Sequence, residues 1–139
     1  MAAPSAGNRT PWAFVAVLER ATLIRLSQGL QYGKMVQTAT AAIVVCGVVA
    51  RALPDDEREF WVQDCSAASE NILLAAEATG LGAVWVGVYP MAERVALIQS
   101  VLGLPPEIVP LNIISLGYPA GVETAKDKFD PACIHWEKW

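Results

Sequence analysis

The chain has 139 residues, of which 54% are hydrophobic and 17% charged, a balance that is typical of one globular domain with a large core. Its 14 acidic and 10 basic residues give a net charge of −4, and the absence of a basic cluster argues against a nucleic-acid-binding surface. The three cysteines are odd in number and form no CxxC pair, so the sequence predicts neither a disulfide framework nor a zinc site and favours a reducing environment.

Neither a targeting segment nor a membrane span is predicted. Met1–Thr10 has no charged stretch followed by an apolar one, so we do not expect a signal peptide. The longest apolar run, Ala39–Ala50, has too few residues to cross a bilayer as a helix. We therefore expect a cytoplasmic protein that does not enter a membrane.

The first third of the chain predicts two strands and one helix. Turn residues fill Ala3–Asn8, and Pro11–Leu18 then has the apolar composition of a strand. A short helix is predicted over Glu19–Gln28, whereas residues 31–40 are ambiguous. Ala41–Val49 is a continuous apolar run, which is typical of a central strand buried on both faces.

The longest predicted element is a helix over Phe60–Thr79, which contains no Gly or Pro and is rich in Ala, Leu and Glu. It is apolar nearly all round, as in helices buried on several sides, and the small residues Ser66–Ser69 would let another helix approach closely. Two interpretations are open: a core helix of a monomer, or a helix that meets a second copy of the chain. Gly80 ends the helix, and Ala83–Tyr89 predicts a short buried strand.

The last third predicts a helix, a strand and a tail. Met91–Leu102 is amphipathic and ends at Gly103, and Val109–Leu116 is the last strong strand. The polar tail from Gly117 ends in His135–Trp139, which is apolar enough to pack over its own domain or over a neighbour. The order strand, helix, strand, long helix, strand, helix, strand predicts an α+β or α/β sandwich in which helices cover a small sheet.

Catalysis by side chains has no candidate motif. The sequence has no GxxxxGK[ST] and no GxSxG, and no GxGxxG follows a predicted strand. His135 is the only histidine, and a single histidine in a tail is more often structural than catalytic. Asp55 and Asp56 lie in a predicted solvated loop, and no metal site is indicated. If the chain is an enzyme, a cofactor supplies the chemistry.

Three parts of the chain resemble the FMN-dependent nitroreductase family, in the family's order. Ala3–Asn8, followed by Pro11 and Trp12, resembles the APSAxNxQPW segment, and Asp64–Gly87 resembles the central helix and glycine turn. Three further pieces of the chain resemble the C-terminus of short bacterial and archaeal members: Gly117–Pro119, Lys126–Phe129 and His135–Trp139. The resemblance covers residues 1–139 as one nitroreductase-like FMN-binding domain. It implies an α+β sandwich with a mixed, mostly antiparallel sheet flanked by helices and with the long helix at a dimer interface.

The resemblance also implies a homodimer with two FMN sites between the subunits. The partner's N-terminal segment would lie against the flavin, the strand after the glycine turn would present backbone groups to the ring, and two tail lysines would reach the phosphate, although an ordinary solvated tail would look the same. Polar contacts to the flavin and ribityl region would come from Gln31 and Lys34, which lie in the ambiguous segment 31–40. The implied site residues are Pro4, Ser5, Ala6, Asn8, Gln31, Lys34, Val86, Gly87, Val88, Lys126 and Lys128.

The implied reaction is ping-pong: NAD(P)H reduces the flavin and leaves, and a small flat electron acceptor such as a nitroaromatic or a quinone then takes the electrons. Backbone N–H groups near the ring can stabilise the negative charge of reduced flavin, and Gly87 permits their close approach. No side-chain acid or base is required.

The chain differs from the family at its start. Members normally begin with a helix that carries an Arg-x-Ser-x-Arg element for the FMN phosphate, and no such element precedes Ala3 here. Two lost charge-assisted contacts of ~1.5–3 kcal/mol each would weaken FMN binding by roughly a hundredfold or more. An alternative function is therefore a nitroreductase-fold homodimer with weak or no flavin binding, acting as a non-catalytic binding protein.

Overall fold

Four strands in the described part of the chain form one sheet. The structure is a computed structural model that describes residues 1–121 and 124–139. The strands are β1 (Trp12–Val17), β2 (Ala41–Val48), β3 (Gly82–Gly87) and β4 (Ile108–Gly117), and they lie in the order β1-β2-β4-β3. All three strand pairings are antiparallel, so the α+β alternative is confirmed, and no parallel pair occurs among the described strands.

Four α-helices in residues 1–121 and 124–139 cover the sheet: α1 (Arg20–Ser27), α2 (Lys34–Thr38), α3 (Phe60–Ala78) and α4 (Ala92–Leu102). Each helix predicted from sequence is present, and the ambiguous residues 31–40 contain the short helix α2. Gly80 and Gly103 follow α3 and α4 with φ of 75° and 63°, the left-handed conformation that commonly ends helices and suits glycine.

The central strands β2 and β4 carry the core. β2 is a run of buried apolar residues, as the sequence predicted for a strand covered on both faces. The partner strand β4 contains Pro110, which cannot donate a ladder hydrogen bond, and the register between the strands shifts between Val45 and Cys46 opposite it. The irregularity is a β-bulge, which accommodates the proline inside a central strand.

The sheet has a separate core on each face. On one face α1, α2 and α4 pack on buried residues that include Val44, Val86 and Ile113. On the other face α3 packs alone, through Trp61, Cys65 and Ala68 among others. The protein is therefore a three-layer α+β sandwich in which one long helix packs on one face of the sheet and three shorter helices pack on the other.

The strand β3 is not the buried strand that its apolar sequence predicts. It lies at the sheet edge beside β4, and the side chains of Val84 and Trp85 are exposed. A short apolar and aromatic run specifies a strand, but it does not specify whether that strand is central or at an edge. The edge position leaves one line of β3 backbone groups outside the sheet.

α3 and the tail both expose apolar side chains. α3 buries one face, while Leu74 on another face is 60% exposed, so the chain by itself does not bury the helix on several sides. In the described tail residues 124–139, Trp136 is 86% exposed and Trp139 fully exposed. The tail therefore does not pack over its own domain, which was one of the two predicted alternatives.

Candidate functional site

The end of β3 presents backbone groups at an open edge. The Val88 N–H donates to the Leu111 carbonyl oxygen at 3.0 Å, so the Val88 amide points into the sheet. Backbone groups alternate in direction along a strand, and those of Gly87 therefore point away from β4. Consistent with this direction, the Gly87 carbonyl oxygen accepts a hydrogen bond from Arg94 Nη1 at 3.1 Å.

One side of Gly87 is open as well. A Cβ built on this glycine would meet no described atom within 4 Å, whereas at Gly47 it would overlap the Trp61 ring. A flat ring could therefore approach the Gly87 backbone directly, and the neighbouring Val86 and Val88 side chains are buried on the α1, α2 and α4 side. Both features fit the role that the sequence analysis gave to Val86, Gly87 and Val88, although the Val88 N–H is already bonded within the sheet.

The N-terminal segment with Pro4, Ser5, Ala6 and Asn8 is anchored to the start of α3. The Ala6 N–H donates to Asp64 Oδ1 at 2.8 Å, and the side chain of Asp64 is only 6% exposed. A buried carboxylate that accepts a backbone hydrogen bond from a distant segment is costly to leave unpaired. Asp64 therefore fixes where this segment leaves the protein surface.

The same segment is conformationally unusual. Gly7, Asn8 and Thr10 have φ of 53°, 54° and 48°, and for the β-branched threonine this left-handed conformation is rare. The Ser5 side-chain oxygen accepts a hydrogen bond from the Thr10 N–H at 2.9 Å, which closes the loop. Strained backbone held by specific hydrogen bonds is commonly found at ligand sites.

Gln31 and Lys34 lie on the opposite side of the sheet from α3. Both are exposed, Gln31 in the connection after α1 and Lys34 at the first position of α2. Leu30, between them and α1, belongs to the same buried core as Val86 and Val88. These polar residues therefore share one layer with the buried side chains at the end of β3.

Lys126 and Lys128 lie in the exposed tail. One chain thus gathers the predicted site residues into separate groups: the N-terminal segment at α3, the end of β3, the α1–α2 connection and the tail. None of these residues lines the open cavity beside Leu53 or the groove between α3 and the sheet.

Three residues near these groups were missed by the sequence analysis. Asp64 was a signal in principle, since it is one of few charges in an apolar helix. Arg94 and Asn112 gave no signal, because neither belongs to a motif and no spacing rule links them to the residues that they contact. Asn112 lies opposite Gly87 in the β3–β4 register and is fully buried.

Asn112 belongs to a short buried hydrogen-bond chain. Its Nδ2 donates to Ser69 Oγ at 2.8 Å, and Ser69 Oγ donates to the Cys65 carbonyl oxygen at 2.8 Å. Among the described residues, Asn112 Oδ1 has no hydrogen-bond partner. These two hydrogen bonds connect α3 to β4, the strand that pairs with β3 at Gly87, and they orient the Asn112 amide.

Two open cavities lie on the surface of the described residues. One, of about 560 Å³, lies beside the loop at Leu53 and is bordered by Arg58 and Glu107. The other, of about 390 Å³, is a mainly apolar groove between α3 and the sheet, bordered by Phe14, Ile72 and other apolar side chains. Neither is lined by Gly87, so the candidate site is an open surface rather than an enclosed pocket.

The cysteines supply no reactive group to this region. Burial raises the pKa of both Cys46 and Cys65 to about 12, and the charge of Asp64 adds to the effect at Cys65. Cys133 is exposed in the tail. All three are free thiols.

We expect one thiol per native chain to react with a disulfide reagent at pH 8. With a pKa of about 12, each buried thiol is ionised in only about one molecule in ten thousand, and the thiolate is the reactive form. Titration with 5,5′-dithiobis(2-nitrobenzoate) before and after denaturation measures this. The Cys133→Ser variant should give no fast reaction, and rapid modification of Cys46 or Cys65 would contradict their burial.

The described ranges contain neither a metal-binding cluster nor a membrane-spanning helix. Residues 1–121 and 124–139 contain no group of three or more His, Cys, Asp or Glu side chains that could hold a metal ion. Among the helices of the same ranges, none has the length and apolarity needed to cross a membrane.

Comparison with known proteins places this geometry in a family. The family model described as "Nitroreductase family" matches residues 27–118. A relative from Archaeoglobus fulgidus, named as an NADH dehydrogenase/NAD(P)H nitroreductase, is 48% identical over 142 residues, which cover all of this chain and 80% of the relative. A relative with the same name from Methanothermobacter thermautotrophicus is 46% identical and is covered to 71%.

Solved structures agree. A structure with the same naming from Bacteroides thetaiotaomicron superposes with a TM-score of 0.93 at 45% identity, covering all of this chain and 79% of that one. An FMN-dependent nitroreductase from Clostridium difficile has a TM-score of 0.89 at 26% identity, covering 99% and 82%. The chain belongs to the nitroreductase family, as the resemblance in its sequence predicted, and it is an oxidoreductase by family.

Proposed function

We propose that this protein uses FMN to carry electrons from NAD(P)H to small, flat, electron-poor acceptors such as quinones and nitroaromatics. The observation that carries the proposal is the end of β3, where Gly87 combines outward backbone groups with an open side. One similar structure is named as an FMN-dependent nitroreductase and another as an NADPH:FMN oxidoreductase.

FMN, when bound, accepts a hydride from NAD(P)H and passes electrons to the second substrate. The protein's own contribution is to hold and polarise the ring. Gly87 offers a backbone N–H at the sheet edge, where a fixed donor favours negative charge on a bound ring. Gln31 and Lys34 supply polar groups to the sugar chain, and the exposed tail lysines supply positive charge for the phosphate.

The site is completed by a second copy of the chain. As the resemblance to the family implies, one subunit's segment with Pro4 and Ser5 covers the ring held by its partner's Gly87. The exposed side chain of Leu74 on α3 and the exposed tail aromatics supply apolar surface for such a homodimer. The three free thiols support a cytoplasmic location.

Steady-state kinetics test this proposal. We expect the protein, supplied with FMN, to oxidise NADH or NADPH in the presence of a benzoquinone or a nitrobenzene derivative, with parallel double-reciprocal lines that indicate a ping-pong reaction. The control is free FMN at the same concentration. Consumption no faster than in this control would instead support a nitroreductase-fold dimer without redox activity.

Removing the two tail lysines should weaken FMN binding without unfolding the protein. Each of Lys126 and Lys128 is exposed, so a Lys126→Ala/Lys128→Ala variant loses phosphate contacts but no packing, and we expect at least about a tenfold higher Kd for FMN. Flavin fluorescence titration measures the Kd, and Lys138→Ala, another exposed tail lysine, is the control. An unchanged Kd would mean that the phosphate binds elsewhere.

A further inference from the structure

The charged side chain of Arg94 is hydrogen-bonded to the candidate site at Gly87. Arg94 lies in the first turn of α4, which begins five residues after Gly87. Its Nη1 donates to the Gly87 carbonyl oxygen at 3.1 Å, and the side chain is half-buried. The hydrogen bond recorded for this guanidinium therefore goes to a neutral carbonyl at the site rather than to a carboxylate.

The backbone around Gly87 is held from two sides. The Val88 N–H donates to Leu111, and the Met91 N–H donates to the Val88 carbonyl oxygen at 3.1 Å, which fixes the turn between β3 and α4. Arg94 adds a third restraint by donating a hydrogen bond to the Gly87 carbonyl oxygen. A peptide group restrained in this way keeps its direction when a ligand approaches.

We propose that Arg94 is a positioning residue that orients the Gly87 backbone and places a fixed positive charge beside the bound flavin, so that the reduced form of FMN binds more tightly than the oxidised form. This inference rests on the proposed function. A guanidinium group carries a positive charge, and in a partly desolvated position that charge is only partly screened. Reduction adds negative charge to the ring, and the guanidinium therefore favours that state.

The size of the effect follows from ordinary electrostatics. One charge a few ångströms away at a partly screened site changes an equilibrium by about an order of magnitude. We expect Arg94→Gln to raise the Kd of reduced FMN about tenfold more than the Kd of oxidised FMN. By the thermodynamic cycle, this corresponds to a midpoint potential lower by about 30 mV for a two-electron couple.

The experiment measures both dissociation constants and the potential in a set of variants. Arg94→Gln removes the charge, Arg94→Lys keeps it without the planar fork, and Arg25→Gln, exposed on α1, makes the same change in net charge away from the site. FMN is titrated aerobically and, after dithionite reduction, anaerobically, and the melting temperature of each FMN-free variant is recorded. We expect Arg94→Lys to lie close to wild type, Arg25→Gln to match wild type, and melting temperatures to agree among the variants.

The outcomes separate the two claims. If wild-type protein binds FMN but Arg94→Gln raises both constants equally, or shifts the potential no more than Arg25→Gln does, Arg94 does not tune the flavin and this inference is wrong while the proposed function stands. If Arg94→Lys behaves like Arg94→Gln, the charge is not the active feature, and the inference is also wrong. If wild-type protein binds FMN in neither oxidation state, the proposed function and the inference fall together.

Discussion

Trp61→Ala lowers the free energy of unfolding by about 3–5 kcal/mol, the usual cost of truncating a large buried aromatic. Trp61 is 2% exposed and lies at the centre of the core between α3 and the sheet. Its ring packs over the backbone of Gly47 and meets Tyr89 edge-on, with ring centroids 4.9 Å apart. Because α3 is the helix that covers this face of the sheet, little else can fill the cavity that the substitution leaves.

Adding a methyl group at Gly47, where the Trp61 ring packs, should also destabilise the protein. A Cβ at Gly47 would lie 2.7 Å from Trp61 Cζ3 and closer still to Cε3, so Gly47→Ala forces the ring or the strand to move. Overpacking of this kind costs about 1–3 kcal/mol. Urea denaturation followed by circular dichroism measures both variants, and Tyr32→Ala, which truncates an exposed aromatic, is the control. Wild-type stability in Trp61→Ala would contradict the packing of α3 described above.

Gly87→Leu abolishes tight FMN binding while leaving the fold intact. A Cβ at Gly87 meets no described atom within 4 Å, so the new side chain starts into open space. The side chain would occupy the space that the ring needs, and we expect the Kd of FMN to rise by at least about a hundredfold. The substitution therefore separates an effect on FMN affinity from an effect on stability, whereas most changes near a ligand also disturb packing.

The matched control is Ala96→Leu, which adds the same side chain at an exposed position of α4. Melting temperature and flavin fluorescence titration are measured for both variants. We expect similar melting temperatures and a large difference in FMN affinity. Wild-type affinity in Gly87→Leu would show that the ring does not approach this glycine. A large loss of stability would show that the space beside Gly87 is too small for a side chain.

The predictions from sequence succeeded where local chemistry decides the structure. The apolar run of β2, the Ala- and Leu-rich α3 and the glycines after α3 and α4 each act within a few residues, and their elements lie within one or two residues of the predicted bounds. The order of these elements left α+β and α/β open, and the resemblance of the sequence motifs to the family implied the mostly antiparallel sheet that the structure has.

The failures involve relations between distant residues. Nothing within Ala83–Tyr89 specifies that β3 lies at the sheet edge, since that depends on which strands pair with β4. Lys34–Thr38 is too short to show a helical period. The hydrogen bonds that Ala6 donates to Asp64 and that Arg94 donates to Gly87 could not be predicted either, because spacing along the chain does not encode them.

The candidate site stays a prediction from the resemblance, which gave both its residues and its position between two subunits. The structure of one chain shows an open side at Gly87, exposed positions for Gln31, Lys34 and the two tail lysines, and the Asp64 bond that anchors the N-terminal segment. Apart from the resemblance, the sequence gives no reason to group residues that lie so far apart along the chain.

The visible absorption spectrum of the purified protein tests the central claim most directly. The spectrum is recorded under nitrogen, first as purified, then after addition of FMN and removal of the unbound fraction, and finally after addition of NADH. We predict retained flavin absorbance in the 450 nm region, roughly one FMN per chain, that bleaches on NADH addition and returns with a quinone. Protein that retains no flavin after reconstitution, or flavin that NADH and NADPH both fail to bleach, would contradict the account.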